Sequence, residues 1–343
     1  MTGRSFAIVL VTIALSVSMP AQNTKIEISL PTDNDALFRG DGPDFYQYVE
    51  RDYQGAKSTP WEGGRYGFVR NPIRTAEGIV YTRFHEGIDI KCLHRDPRGE
   101  PLDEIRAIAD GRVVHTNHVP GYSNYGRYIV IEHLWDGSPY YSLYGHLSEI
   151  DVSDGQSVIG GGRIGRMGYT GEGINQARAH LHLELNLMFS RNFEAWHNRT
   201  FPDPNHNGIY NGLNLAGIDI ARFFLEHDRR PSLTIPQFLA EEEAFYRVAV
   251  PNSPHFDLKK FYPWMIKKVP GNVKSWEVSF ARSGVPLSIV GRDEPVSQAR
   301  LTFVKESAID CAYLTRDQLA GRGEQAHLTE SGMRFMRLLT WPD

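Results

Sequence analysis

Residues 179–187, AHLHLELNL, alternate leucine with polar residues along their whole length. This alternation has the period of a β-strand with one buried face. The four leucines are therefore predicted to point into a core, while His180, His182 and Glu184 share the opposite face. A strand presents such side chains rigidly, so two imidazoles would stand together where a metal could use them. The alternative is an ordinary solvated polar face.

Short β-rich runs surround this strand from about Trp61 to Asn186. They include RYIVIEHL and YYSLYGHL, and they are separated by glycine-rich turns such as DGRVV, GYSNYG and IGGGRIG. Runs of this length between turn signals predict an all-β unit with many strands. We assign this unit to residues 61–195 and predict a mainly β, antiparallel fold class.

The segments at the two ends of the chain differ in texture. Residues 22–60 are polar and interrupted by proline and glycine, which indicates a lead-in segment with one predicted helix at 44–52. Residues 271–343 return to strand-like runs, and their end piece, MRFMRLLTW at 333–341, is also predicted to be a strand. These patterns predict a small β-rich C-terminal domain, whose role the sequence does not reveal.

Residues 196–270 form the predicted connector between these two β units. A loop rich in proline, asparagine and glycine opens it and marks a boundary. Two helices are then predicted at 217–228 and 235–250 from their apolar residues. A third is predicted over 258–268, where Pro263 would bend or end it.

The first 21 residues carry the pattern of a secretory signal peptide. Arg4 precedes an apolar run from about Phe6 to Val17, and a cleavage site follows Ala21. The competing interpretation is an uncleaved membrane anchor, but the apolar run is shorter than the roughly 20 residues that cross a bilayer. The pattern therefore predicts export, with no stable membrane insertion after the signal is removed.

The composition limits which kinds of molecule the protein is expected to bind. The net charge of −4 shows no basic excess for gripping phosphates, so nucleic acid is not an expected partner. The two cysteines, Cys92 and Cys311, lie far apart in sequence and either pair in an oxidising compartment or stay as buried thiols. The sequence contains no CxxC motif, which is the pattern that would suggest a structural zinc site.

The string FHEGIDI, residues 84–90, supplies further metal-binding side chains. His85 and Asp89 flank Gly87, and a fully extended chain would hold them roughly 13 Å apart. A bend at Gly87 costs little, so both side chains can reach one ion. The alternation that follows turns Asp89 towards the site and Cys92 away from it.

Another imidazole, His146, ends the aromatic-rich strand YSLYGHLSEI at residues 141–150. A lone histidine in such a strand is usually structural. Together, however, His85, Asp89, His180 and His182 offer two imidazoles and a carboxylate as ligands, and they leave spare imidazoles and an open position for water. This donor set is typical of catalytic zinc, because structural sites use four protein ligands and usually cysteines.

The residues resemble the lysostaphin-like, LytM-type peptidoglycan endopeptidases, whose pattern is an early HxxxD, a YxHL strand and a closing HLHxE. The likeness runs from about residue 61 to 187 and includes GIDI, AIADGRVV, SLYGHLS and HLHLEL in order. It implies an antiparallel peptidase domain with a metal groove. It also implies one Zn²⁺ per chain, bound by His85, Asp89 and His182, with His146 and His180 as catalytic residues.

Carried further, the resemblance implies an exported zinc metalloendopeptidase, periplasmic or extracellular, that hydrolyses peptide bonds in peptidoglycan cross-links or stem peptides. One catalytic histidine would accept the proton of a zinc-activated water or stabilise the oxyanion, and the other would protonate the leaving amine. The sequence departs from the family pattern at Ala179, which replaces a proline, and in a longer loop at 91–106. Because loops that border a groove select the peptide, the longer loop puts in doubt the substrate specificity that the resemblance implies.

Two other functions stay open. The chain could be a non-catalytic LytM-type regulator that binds and activates a cell-wall amidase, although such domains typically lose metal ligands. It could also be an exported peptidase of protein substrates that uses its tail for docking. A further hypothesis is latency, in which residues 22–60 cross the groove and occupy the open zinc position until they are removed.

The remaining polar candidates carry weaker signals. Glu184 either orients a ligand or, as we expect, lies on the surface, and His133 is predicted to be structural. Residues 203–214, DPNHNGIYNGLN, place oxygen side chains as a calcium loop does but end in Asn214 rather than glutamate, which favours a simple turn. Three further histidines are predicted to be solvated: His94, His115 and His118.

Overall fold

The computed structural model describes residues 26–57 and 59–341, so the predicted signal peptide at 1–21 lies outside the described residues. The fold is mainly β with largely antiparallel sheets, which confirms the predicted fold class. Within the described residues, every helix is too short or too polar to cross a membrane.

The elements form three consecutive groups. The N-terminal elements are α1 (Gly42–Phe45), β1 (Asp52–Tyr53), β2 (Ala56–Lys57), β3 (Gly67–Thr75) and β4 (Gly78–His85). The central elements are β5 (Ile88–Lys91), β6 (Glu104–Arg106), β7 (Gly111–Asn117), β8 (Tyr128–Trp135), β9 (Ser138–Gly145), β10 (Glu149–Ile150), β11 (Ser157–Val158), β12 (Arg163–Arg166), β13 (His180–Met188), α2 (Phe193–Thr200) and β14 (Leu215–Gly217). The C-terminal elements are α3 (Ile220–Arg229), α4 (Ile235–Ala240), β15 (Tyr246–Pro251), α5 (Leu258–Phe261), β16 (Ile266–Lys268), β17 (Ser275–Phe280), β18 (Pro286–Arg292), β19 (Arg300–Val304), α6 (Cys311–Leu314), β20 (Leu319–Ala320), β21 (His327–Leu328) and α7 (Glu330–Thr340).

Strand β13 lies inside the largest sheet, whose order is β11-β7-β8-β9-β13-β14, with β5 also paired to β13. The register sets His182 opposite Asp89 of β5 and, on the other edge of the strand, opposite Gly145 of β9. The four leucines of β13 are fully buried, as the alternation predicted. The sheet therefore fixes the backbone on both sides of His182.

The lead-in segment is built into this domain. The helix predicted at 44–52 is wrong, because α1 ends at Phe45 and Tyr46 is extended and pairs with Ile90. The backbone N–H of Gln47 then donates to the carbonyl of Asp89 at 2.9 Å. Residues 46–47 thus cover the free edge of the strand that carries Asp89.

Of the three helices predicted in the connector, one is confirmed, one is present only up to Pro263 and one is wrong over most of its length. The helix predicted at 217–228 is α3, and the third predicted helix ends at Phe261, as expected from Pro263. The helix predicted over 235–250 is wrong beyond Ala240, since residues 246–251 form β15. Its buried positions alternate with an exposed arginine, and the strand pairs with β17 and β19.

The C-terminal group is a five-stranded sheet of order β16-β18-β17-β15-β19 with helices against it. The strand predicted at 333–341 is wrong, because these residues belong to α7. The Thr329 side chain caps α7 by accepting from the Gly332 N–H, and buried Met336, Leu339 and Thr340 recur at helical spacing. The sheet uses strands on both sides of residue 270, so the division there stays a prediction.

Candidate metal centre and active-site groove

Three side chains from different strands meet at one point. His85 ends β4, Asp89 lies in β5 and His182 lies in β13. The Nε2 atom of His85 lies 3.1 Å from Oδ1 of Asp89 and 3.2 Å from Nδ1 of His182, which is itself 3.0 Å from the same oxygen. All three residues are buried, and in the described part of the chain they form a group able to hold a metal ion.

Gly87 makes the turn between His85 and Asp89 and also permits a close contact. A Cβ atom at this position would lie 2.3 Å from the carbonyl oxygen of Leu183 in β13. Only glycine therefore lets the bend pass the central strand at this distance. The sequence had identified the bend but not this packing requirement.

Hydrogen bonds outside the trio fix which ring nitrogens face its centre. Nδ1 of His85 lies 2.8 Å from the carbonyl of Arg65, and Nε2 of His182 lies 2.8 Å from Oε1 of Glu184. Each of these nitrogens can donate to its oxygen, which leaves lone pairs on His85 Nε2 and His182 Nδ1. The expectation that Glu184 lies on the surface is wrong: its carboxylate is buried and also accepts from Asn186 at 2.8 Å.

Arg70 in β3 contacts the trio and was not found from the sequence. Its guanidinium donates to Oδ2 of Asp89 at 2.6 Å and, through Nε, to the carbonyl of Gly63 at 2.8 Å. The two carboxylate oxygens of Asp89 therefore have different partners. Oδ2 is bound to Arg70, and Oδ1 faces the imidazoles of His85 and His182. No local motif signals this role, because β3 and β4 form a hairpin whose placement over β5 is a tertiary feature.

Two more imidazoles adjoin the trio. The ring centroids of His146 and His180 lie 4.8 Å apart, and Nε2 of His180 is 3.4 Å from Oδ1 of Asp89. Nδ1 of His146 lies 2.8 Å from the carbonyl of Thr170, and Nδ1 of His180 lies 2.7 Å from that of Arg178. If both Nδ1 atoms donate, both Nε2 atoms are free to accept a proton.

His146 is held in a strained backbone conformation. Its φ angle of 65° lies in the left-handed region, which is uncommon for residues other than glycine. The N–H of His146 donates to the carbonyl of Tyr125 at 2.7 Å, and this bond helps to keep the conformation. Strain of this kind is concentrated at functional sites.

The electrostatics of the cluster follow from burial and mutual contact. Burial lowers the pKa of His85, and burial together with His180 and His182 holds the pKa of His146 well below 6.5. Burial would raise the pKa of Asp89, but His85, His180 and Arg70 hold it well below its usual value. Burial would lower the pKa of His182, yet hydrogen bonds to Asp89 and Glu184 raise it to about 10.

The donor set fits a zinc ion. Two imidazole lone pairs and one carboxylate oxygen converge, and they would repel one another unless a cation lay between them. In the absence of a metal, a proton can serve as this cation. Its tight binding to His182, between the carboxylates of Asp89 and Glu184, is seen in the raised pKa of about 10. Two imidazoles and one carboxylate make a ligand set used by catalytic zinc, which keeps a further position for water or substrate.

A groove of about 640 Å³ opens onto this cluster. Its walls come from the lead-in segment, the β3–β4 hairpin, the loops around Tyr125 and Glu172, residues 207–213, and Arg316 from the C-terminal group. None of the described residues lining it belongs to the loop 91–106, which the sequence had suggested as a determinant of specificity. Instead, Arg95 of that loop donates to the carbonyl of Gln176 at 2.7 Å.

The remaining candidates lie outside the cluster. His133 is buried, with ring nitrogens 2.7 Å from the Asp110 carbonyl and from the Ser142 hydroxyl, so its role is structural. His94 and His118 are exposed, whereas His115 is half-buried and bonds to Asn207. In 203–214, the Asn205 side chain accepts from neighbouring amides, as in a turn. Cys92 and Cys311 are both free thiols.

This arrangement, an antiparallel sheet with a histidine–aspartate–histidine cluster in a groove, defines a metallopeptidase-like site. Residues 83–193 match the model of peptidase family M23, so the chain contains a LytM-type domain of that family. Its identity is 41% over 101 residues to the peptidoglycan DD-endopeptidase ShyA of Vibrio cholerae, which covers 29% of this chain and 20% of that protein. It is 36% identical over 120 residues to the uncharacterized lipoprotein YgeR of Escherichia coli, covering 35% and 39% of the two chains.

A solved structure is also similar. The zinc-containing peptidase from Vibrio cholerae shares 27% identity, with a TM-score of 0.26, over 41% of this chain and 36% of its own. The chain thus spans well under half the length of each of these three proteins, and the family match lies on the central group of elements.

Proposed function

We propose that this protein is an exported zinc metalloendopeptidase that hydrolyses peptide bonds in peptidoglycan cross-links or stem peptides. The observation that carries the proposal is the meeting of His85, Asp89 and His182, with their outer nitrogens and oxygens already bonded to other groups. The family match and the 41% identity to a peptidoglycan endopeptidase support the substrate class.

In this proposal His85 Nε2, Asp89 Oδ1 and His182 Nδ1 hold the zinc. Zinc held there would supply Lewis-acid chemistry, because it would polarise the scissile carbonyl and lower the pKa of water to about 7. Arg65, Glu184 and Arg70 position the ligands. Because these groups hold the three ligand side chains, the donor atoms already point towards the centre of the site without a metal.

His146 and His180 handle protons and developing charge. Because burial and the adjacent imidazoles keep His146 neutral at pH 7, its free Nε2 can accept the proton of the attacking water or, once protonated, donate to an oxyanion or to the leaving amine. His180 offers a second Nε2 beside Asp89.

The main alternative is a non-catalytic LytM-type regulator of a cell-wall amidase. The intact set of donors and the two additional imidazoles favour the enzyme, because a regulator does not need them. An exported peptidase of protein substrates is distinguished from both by the substrate assay below.

The test measures zinc content and the release of muropeptides from purified sacculi by the full mature protein. We expect about one zinc per chain and release that stops after chelation. His182→Ala should lose zinc and activity, whereas His146→Ala should keep zinc and lose activity. His118→Ala, which changes an exposed histidine away from the groove, is the control. A protein that binds zinc but cuts neither sacculi nor stem peptides would be a regulator instead.

A further inference from the structure

Arg316 belongs to the C-terminal group but lines the metal groove. It follows α6, and its guanidinium carbon lies 5.3 Å from the ring centroid of Phe84. Phe84, His85 and Arg316 all line the same groove, so the guanidinium shares that groove with the proposed zinc site. The C-terminal group therefore contributes a charged side chain to the groove.

The backbone that presents Arg316 is strained. Arg316 has a φ of 56° and Asp317 a φ of 57°, so two consecutive residues other than glycine adopt the left-handed region. Hydrogen bonds hold the turn: the Asp317 N–H donates to the Ala312 carbonyl at 3.2 Å, and the Gln318 N–H donates to that of Thr315 at 3.0 Å. Thr315 is fully buried. An unfavourable conformation that the surroundings enforce is a reason to look for function.

Arg316 forms no direct ion pair within the described part of the chain. The side chain is exposed, and among the described residues no carboxylate lies within ion-pairing distance of it. Glu86 lines the same groove and interacts with Arg316 electrostatically at longer range, while its carboxylate accepts a hydrogen bond from the Tyr125 hydroxyl at 3.3 Å. By contrast, Arg70, another of the arginines that line the groove, is bound to Asp89.

We propose that Arg316 binds a free carboxylate of the peptide substrate close to the scissile bond, so that the C-terminal group selects acidic stem peptides. The planar guanidinium fork matches a carboxylate, which it can bind through two parallel hydrogen bonds. Phe84 beneath the guanidinium limits its orientations. This inference rests on the proposed peptidase function for its substrate.

The test compares two forms of one synthetic stem pentapeptide, one with all carboxylates free and the other with all of them amidated. The full zinc-loaded protein is used throughout. The preference for the acidic form is expressed as a ratio of kcat/KM if the peptides are cut, and as a ratio of Kd if they bind without being cut. A preference of about tenfold or more is expected, the size of one charge-assisted pair.

The variants separate this role from a structural one. Arg316→Gln should reduce the ratio towards one with a Tm within about 2 °C of the parent, as for an exposed substitution. Arg316→Lys should keep a preference because it keeps the charge, and Arg316→Gly should lose it while raising Tm through relief of backbone strain. Arg300→Gln, an exposed arginine of the same group outside the groove, should leave the ratio unchanged.

The proposal is overturned if the parent binds both forms equally, or if Arg316→Gln keeps the full preference. These outcomes do not depend on catalysis. Preference without cleavage of either the peptide or sacculi would refute the peptidase function but support the carboxylate site. Cleavage without preference would support the peptidase function and refute the carboxylate site.

Discussion

Nδ1 of His182 lies 3.0 Å from Oδ1 of Asp89, and the two residues face each other across paired antiparallel strands. Because the strand register sets this distance, the carboxylate can be changed with little effect on the backbone. Asp89→Asn is expected to lose most bound zinc, since a neutral amide replaces the anionic ligand. Zinc content after dialysis against a weak chelator measures this. Asp103→Asn, another buried carboxylate outside the cluster, should retain its zinc, and equal retention by both variants would contradict the assignment.

Arg70 is expected to strengthen zinc binding without touching the metal. Arg70→Met removes the guanidinium that holds Oδ2 of Asp89, and loss of such a supporting bond typically weakens metal affinity roughly 10- to 100-fold. Chelator competition measures the change. Arg83→Met alters the cross-strand partner of Arg70 and should leave zinc affinity near that of the parent. If the two variants behave alike, the positioning role of Arg70 is wrong.

Gly87 is expected to be intolerant of a side chain. Gly87→Ala places a methyl group 2.3 Å from the Leu183 carbonyl, so β5 must move away from β13. We expect a loss of roughly 1–3 kcal/mol in the free energy of unfolding, together with weaker zinc retention. Urea denaturation gives the first quantity and zinc analysis the second. Gly271→Ala, where a Cβ atom meets nothing within 4 Å, should change neither.

The lead-in segment is expected to act as part of the folded domain. Phe45 is 0% exposed, and Phe45→Ala should reduce the free energy of unfolding by about 3–5 kcal/mol. Phe38, at 45% exposure, provides the matched control, and its replacement by alanine should cost less than about 1 kcal/mol. A removable pro-segment would instead tolerate Phe45→Ala, and trimming residues 22–60 would then increase activity.

His133 is expected to make stability depend on pH. Burial lowers its pKa from 6.5 to about 4, so the folded state resists a proton that the unfolded chain accepts. The neutral form contributes stability above pH 6.5, and this is lost as pH falls towards 4, at about 1.4 kcal/mol per pH unit between the two pKa values. Urea titrations at pH 7 and 5 measure the loss. His133→Gln cannot gain this charge, so its stability should fall less over the same interval, although its stability at pH 7 is lower.

Local sequence patterns correctly predicted those structural features that depend on residues close together in the chain. The alternation in residues 179–187 identified β13 and its buried leucines, and the spacing around Gly87 predicted the bend that brings His85 towards Asp89. The five histidine and aspartate residues singled out from sequence do come together in the structure. Their roles as zinc ligands and catalytic groups stay proposals.

Features set by tertiary contact were missed. Arg70 and Arg316 reach the groove from a hairpin and from the C-terminal group, and neither has a local signal. Glu184 was expected at the surface because alternation gives the face of a residue but not what covers that face. The strand at 246–251 and the helix at 330–340 were misread because both segments are short and apolar, and their neighbours decided the outcome.

His182 is far along the chain from the other two residues of the proposed zinc site, 93 positions after Asp89 and 97 after His85. Before β5 and β13 pair, the donors are dispersed and no groove exists. An unfolded chain therefore carries no assembled metal site, and whatever chemistry this cluster performs can begin only once β5 and β13 have paired.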